Sequence, residues 1–288
     1  MGDNSKIEWL ARPGTKPATW NPFRARNRAG GKVGWFCVHK SPGCVNCYAE
    51  AWNQYRGTGV KFKAQNEKLV DLFVDDKTLE HPTKWQAPRT VFVCSMTDLF
   101  GEFHEPQDIA RVFAVMARTP RHTYIVVTKR AERMASLMNS KRFQKRVEAI
   151  RARSPAPFVW PLPNVWCLIS AEDQRTWDQR SRFLRKTPAV VRGASFEPLL
   201  GPIGIDYTRP FLQWAIIGGE SGPSARDCDI GDIDRLVHYL NIMGTAVFIK
   251  QLGRKPISAD GFRVRLNNAK GADVNEWPEH LVRREFPA

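Results

Sequence analysis

The chain has 288 residues, 42% of them hydrophobic, with ten Trp and sixteen Phe, and its 44 Lys and Arg outnumber 29 Asp and Glu to give a formal charge of +15. That apolar content supplies a sizeable core and excludes a disordered or fibrous chain, while no apolar run approaches the roughly 18 residues of a membrane span. The positive charge points to polyanionic partners, with nucleic acid or a nucleotide substrate first among them.

One domain is expected over 1–288, with 1–36 as an N-terminal extension and 254–288 as a C-terminal tail. The polar opening, MGDNSKIEWLARPGTKP, lacks the apolar stretch of a signal peptide, which suggests the cytoplasm. Six cysteines in that reducing compartment suggest metal rather than disulfides. In chain order, ATWNP is a short candidate strand that ends at Pro22. A basic insertion follows, FRARNRAGGKVGWF, bearing Arg24, Arg26, Arg28 and Lys32; it is either a substrate or phosphate contact or a surface loop. After the cysteines come six nearly continuous apolar runs: TVFVCSM, TYIVVTK, NVWCLIS, AVVRGASF, LQWAIIG and TAVFIK. Each is β-branched or aromatic, as buried strands are, and a helix with two loops fits between successive runs.

The intervening segments fit amphipathic helices. PQDIARVFAVMART places Ile109, Val112, Phe113 and Met116 on one side, and IGDIDRLVHYLNIMG closes at Gly244, which suits a helix stop. KRFQKRVEAIRARS, from Lys141 to Arg153 and beyond, reads either as a basic patch or as the solvated face of one helix. Strands alternating with helices imply a parallel sheet, and the fold class expected is a partial (β/α)6-type barrel with outer helices and the cysteine loop after the first strand.

Polar residues stand at the C-terminal ends of the six runs: Ser95 with Asp98, Lys129 with Arg130, Ser170 with Glu172, Ser195 with Glu197, Gly218-Gly219-Glu220, and Lys250 with Gln251. In barrels those ends converge on one mouth where catalytic groups gather. The plainer account is that each carboxylate forms a salt bridge to a neighbouring Lys or Arg. The paired glycines of GGESG either let backbone approach a ligand or make an ordinary turn.

The strongest local motif is Cys37-Val-His-Lys-Ser-Pro-Gly-Cys44-Val-Asn-Cys47-Tyr48-Ala-Glu. Two thiols separated by two residues can grip one metal, and Pro42-Gly43 supplies a turn for the third. Cys94 and Cys167 lie inside apolar runs as buried hydrophobes, and Cys228 sits in a distant loop. Two metal readings stay open on spacing alone. Zinc could take His39 as a fourth ligand, whereas a four-iron cluster held by three thiolates leaves one iron for a small molecule.

The cysteine loop with Tyr48 and the downstream strands resembles the radical S-adenosylmethionine superfamily. More narrowly, TWNP, SPGC-x-x-CYAE, VFVCSMTDLF, the TKR strand end, SAED, SFEPLLGPI, IIGGESG and FIKQLG resemble a phage and prophage family with a three-cysteine motif, distantly similar to spore photoproduct lyase. The likeness runs in order from Ile7 to about Gly253. The six residues between Cys37 and Cys44 depart from the superfamily's commonest spacing of three but agree with the narrower family.

The resemblance implies a [4Fe-4S] cluster on Cys37, Cys44 and Cys47, with S-adenosylmethionine on the fourth iron and a 5′-deoxyadenosyl radical that abstracts substrate hydrogen. It implies cofactor contacts at Tyr48, Ser95, Asp98, Ser170, Glu172, Gly218 and Gly219, and catalytic roles for Glu197, Glu220 and Lys250. Lys129, Arg130 and Gln251 would contact substrate or phosphate. A DNA base or nucleotide substrate is expected, with a flavodoxin- or ferredoxin-like electron donor and no membrane. The alternative is a zinc-stabilised nucleic-acid-binding protein without catalysis. A phosphotransfer or hydrolytic barrel enzyme ranks last, since it lacks a phosphate loop and leaves the cysteines unexplained.

Overall fold

Every apolar run named above forms a strand in the computed structural model, which describes residues 2–151 and 157–288. The fold is mixed α/β, and its chain divides into two compact units: Met1–Lys40, Cys47–Cys167 and Lys186–Val190 in the first, and Ser41–Asn46, Leu168–Arg185 and Val191–Ala288 in the second.

The first unit contains β1 (Gly2–Asp3), β2 (Lys16–Trp20), β3 (Phe23–Asn27), β4 (Val33–Gly34), α1 (Tyr48–Arg56), β5 (Val70–Val74), α2 (Asp76–Leu79), β6 (Arg89–Val93), α3 (Pro106–Arg118), β7 (Thr123–Thr128), α4 (Ala131–Asn139) and α5 (Lys141–Ile150). ATWNP is thus a true strand, β2, lying parallel to β6, which in turn lies parallel to β7. Burial on both faces requires apolar residues at every position, and Tyr124, Ile125 and Val126 in the middle of β7 are all buried. Helix α3 buries Ile109, Val112, Phe113 and Met116, the face read from the sequence.

Strand β8 (Val165–Ser170) is buried at all six residues; its first three belong to the first unit and its last three to the second. The second unit continues with α6 (Gln174–Lys186), β9 (Val191–Phe196), β10 (Trp214–Gly218), β11 (Cys228–Asp229), α7 (Ile230–Ile242), β12 (Ala246–Gln251) and β13 (Pro256–Ile257). Strand β10 pairs in parallel with both β9 and β12. In hydrogen-bonded order the principal strands run β1-β2-β6-β7 in the first unit and β9-β10-β12 in the second. Gly244, at φ +67°, follows α7 and supplies the left-handed turn expected of a helix stop.

The basic insertion is ordered sheet, not a plain surface loop. Strand β3 pairs antiparallel with β4 and with β5, which lies more than forty residues downstream. Its arginines have local work: Arg24 donates to the Gly34 carbonyl at 3.1 Å and stacks over Trp35, Arg26 lies over Phe73, and Arg28 pairs with Asp71 at 2.8 Å. Likewise the basic run from Lys141 is a helix, α5, anchored by buried Phe143 and Val147 one turn apart. Ala152 and Arg153, the end of that run, lie outside the described residues.

Candidate functional site: a braced cysteine loop

In the first unit, Cys37 and Cys47 are half-buried and pack against a small core of Ala25, Phe36, Ala49, Val60, Phe62 and Val70. The residues beside them are held by polar contacts. His39 Nε2 meets Glu50 Oε2 at 2.9 Å, and the other oxygen of Glu50 accepts from the Phe62 amide at 2.8 Å. Tyr48 donates its hydroxyl to the Ser95 carbonyl at 2.5 Å, and Arg130 donates to the Val38 carbonyl at 2.8 Å.

Arg130 and Asp98 form the hub of that arrangement. Asp98 accepts from Thr128 Oγ1 (2.7 Å), the amides of Phe100 and Lys129 (both 3.0 Å) and Arg130 Nη1 (3.2 Å). Arg130 also donates from Nε to Glu102 at 2.7 Å, and Glu102 receives Lys40 at 3.0 Å. Burial works to lower the Arg130 pKa, but the charges of Asp98, Cys37 and Glu102 more than reverse it and raise the pKa. The Arg130 guanidinium is buried, and its Nε, Nη1 and Nη2 each donate to a protein acceptor. Asp98 is equally enclosed, and its bonds tie the segment after β6 to the end of β7. Cys94 at the end of β6 takes φ +57°, a left-handed turn that redirects the chain into this segment.

In the second unit, the stretch Ser41–Asn46, which contains Cys44, is gripped at both ends by carboxylates. Glu172 is fully buried; its Oε1 accepts from Ser41 Oγ at 2.7 Å and its Oε2 from Arg180 Nη1 at 3.0 Å. A methyl group on Gly43 would lie 2.5 Å from both Cγ and Oε1 of Glu172, so only glycine fits against this side chain. At the other end Asn46 donates to Glu220 Oε2 at 3.0 Å and to the Ser224 carbonyl at 2.9 Å. Arg226 engages Glu220 through its backbone amide, Nε and Nη2. Burial works to raise the Glu220 pKa, and the Arg226 hydrogen bonds overcome it, leaving the carboxyl below its ordinary value.

Glu197, also in the second unit, pairs with Lys250 at 3.0 Å and receives Ser195 Oγ at 3.4 Å. Ser170 Oγ donates to the Glu197 carbonyl at 3.4 Å. The paired glycines of GGESG stand where side chains have little room: a Cβ on Gly219 would sit 2.6 Å from the Leu252 carbonyl oxygen, and one on Gly218 would sit 3.1 Å from Glu197 Oε1. Gln251 is buried and donates to the Gly219 carbonyl at 2.7 Å, so it too is held inside the fold. The salt-bridge account of the carboxylates thus holds for Asp98, Glu172, Glu197 and Glu220 alike. Ser41, Asn46, Glu50, Glu102, Arg180 and Arg226 complete these contacts and were not singled out from sequence.

The cysteines divide into two chemical sets. Burial pushes the thiol pKa of Cys167 and Cys228 up to about 12 and that of Cys94 well above its ordinary value, so these three are inert apolar groups. Cys37, Cys44 and Cys47 are half-buried, at positions whose neighbours are braced. Their donor chemistry suits a soft metal or a cluster. Among the described residues, however, no three His, Cys, Asp or Glu side chains are gathered as a metal-holding group; the Cys37 thiol points to the Val38 carbonyl at 3.8 Å.

The fold is that of a mixed α/β protein with parallel strands; in its second unit Glu172 and Glu220 hold Ser41 and Asn46 on either side of Cys44, and in its first unit Arg130 holds the Val38 carbonyl beside Cys37. The chain belongs to the family described as protein of unknown function DUF5131, whose model matches residues 4–278. No curated protein and no solved structure matches it. Among the described residues no helix is long and apolar enough to cross a membrane.

Proposed function

We propose that the chain is a radical S-adenosylmethionine enzyme folded as a partial (β/α)6 barrel, with Cys37, Cys44 and Cys47 as the ligands of a [4Fe-4S] cluster and a DNA base or nucleotide as substrate. The observation that carries this reading is the bracing of the loop. Buried charged groups are engaged in fixing Val38, Ser41, Gly43 and Asn46, the neighbours of the cysteines, while the thiols themselves stay half-buried. A loop needed only to connect two elements has no use for a fully buried Glu172–Arg180 pair, since such a pair adds little net stability.

When bound, such a cluster with S-adenosylmethionine supplies a carbon radical that removes a hydrogen atom from substrate. The chain's own tasks are positioning and exclusion of water. On this reading Asp98, Glu172 and Glu220 are positioning residues that hold the loop and strand ends. Lys129 and the Glu197–Lys250 pair would contact substrate and handle protons. Tyr48 offers its ring beside Cys47 for cofactor packing, its hydroxyl held by Ser95. The net charge of +15 supports a polyanionic substrate. A flavodoxin- or ferredoxin-like protein would supply the electron.

The zinc reading keeps one specific observation, the His39–Glu50 pair, since carboxylates commonly orient metal-bound histidines. Metal analysis of anaerobically purified protein separates the two. Brown protein containing iron and acid-labile sulfide supports the enzyme. Colourless protein with stoichiometric zinc, lost on His39→Ala, would replace it with the binding module.

A further inference from the structure

Helix α1 follows directly on Cys47 and carries three aromatic residues, Tyr48, Trp52 and Tyr55, at spacings of four and three residues, which align them on one helix face. A buried face is the usual fate of such a stripe. Here the stripe is outside: Tyr48 is 61% exposed, Trp52 54% and Tyr55 76%. Helix α1 buries only Ala49 and Asn53 against the core, so a different face holds it in place.

The exposed charge that α1 and the residues through Lys63 contribute is positive. The helix has a single acid, Glu50, and it is turned inward onto His39 and the Phe62 amide. Arg56 lies over the Tyr55 ring at 4.6 Å, and exposed Lys61 and Lys63 follow within eight residues. Flat aromatic faces on a helix whose only acid is turned inward, with cations close by in sequence, complement a polyanion that carries its own π-faces.

Access to base faces selects the form of that polyanion. Bases within a duplex are ~3.4 Å apart and already stacked on one another. Their faces are covered, so exposed rings can stack only on bases that have left the stack.

We propose that Trp52 and Tyr55, on the exposed face of α1, form a stacking platform for the unstacked bases of a single nucleic-acid strand. This deepens the nucleic-acid part of the function proposed above and does not depend on the cluster chemistry. The test is fluorescence anisotropy with the full chain and labelled oligothymidylate, across a salt series, beside a duplex of equal length. The expected result is tighter binding of the single strand, weakened roughly 5- to 150-fold by Trp52→Ala and again by Tyr55→Ala. Trp52→Phe should retain most of the affinity. The salt slope should be unchanged by these two substitutions and reduced by Lys61→Gln with Lys63→Gln.

Salt-dependent binding that is indifferent to Trp52→Ala and Tyr55→Ala overturns the platform while leaving a nucleic-acid substrate in place. Absence of binding to either form of DNA overturns both. A dimer in solution that the same substitutions dissolve would assign the face to a second copy of this chain, and would likewise overturn the platform.

Discussion

Glycine 43 and Glu172 offer the sharpest check on the bracing of the cysteine loop. Replacing Gly43 by Ala puts a methyl 2.5 Å from two atoms of a side chain that cannot retreat, because Ser41 holds one oxygen and Arg180 the other. Overpacking of this kind costs about 1–3 kcal/mol. Glu172→Ala removes one partner of a buried ion pair, which costs about 3–5 kcal/mol. Arg180 keeps the Ser170 carbonyl at 2.7 Å as an acceptor, which places the loss toward the lower end. In the double variant the new methyl meets the space that Glu172 vacated, so the two losses should not add. Urea unfolding of the four proteins should give a coupling of about 0.5–3 kcal/mol, with the double variant more stable than the sum implies. The single variants should also raise the rate at which a maleimide modifies Cys44. Losses that add within about 0.5 kcal/mol, or an unchanged Cys44 rate, would refute the contact as a brace.

Three further outcomes follow. His104 is buried and stacked on Phe23, and burial first, then the charges of Arg133 and Arg130, lower its pKa from 6.5 to about 3. The folded chain therefore excludes a proton that the unfolded chain binds, so stability is full above pH 6.5 and falls as the pH drops toward 3. The slope approaches about 1.4 kcal/mol per pH unit within that window; urea midpoints from pH 7 to 4.5 should show it, and His104→Phe should flatten it, with buried His122, lowered to about 4, accounting for what is left. Arg130→Met leaves Asp98 buried without its cation and should destabilise by about 3–5 kcal/mol, whereas Arg130→Met with Asp98→Asn should recover part of that loss in a thermal melt. Glu197→Gln, which keeps shape and removes the charge paired with Lys250, should leave the melting temperature within a few degrees of the parent while lowering substrate turnover on the proposed reading.

Much of the fold was legible because parallel strands buried on both faces are largely apolar, and β6, β7, β8, β9, β10 and β12 each carry a central apolar stretch or small residues, with polar groups toward their ends. The periodic face of α3 and the stop at Gly244 were equally direct. What escaped was non-local. Strand β3 reads F-R-A-R-N, and its alternating burial is the period-2 signal of a half-buried strand. Its partner β5 lies far down the chain, however, and the arginines drew attention to charge. The carboxylates at strand ends were visible, but their partners were not: Ser41 and Glu172 are 131 residues apart, and Asn46 and Glu220 are 174. Nothing local in SPGC-x-x-C shows which distant side chains will hold it. The glycines of GGESG illustrate the same limit, since the requirement for a missing Cβ is set by the Leu252 carbonyl and not by neighbours in sequence.

The most direct measurement of the proposed chemistry is product analysis after anaerobic reconstitution with iron and sulfide, reduction and incubation with S-adenosylmethionine. The account predicts 5′-deoxyadenosine from the parent chain and from Cys94→Ala, Cys167→Ala and Cys228→Ala, and none from Cys37→Ala, Cys44→Ala or Cys47→Ala. A parent chain that leaves S-adenosylmethionine intact while holding a full complement of iron and sulfide would contradict it.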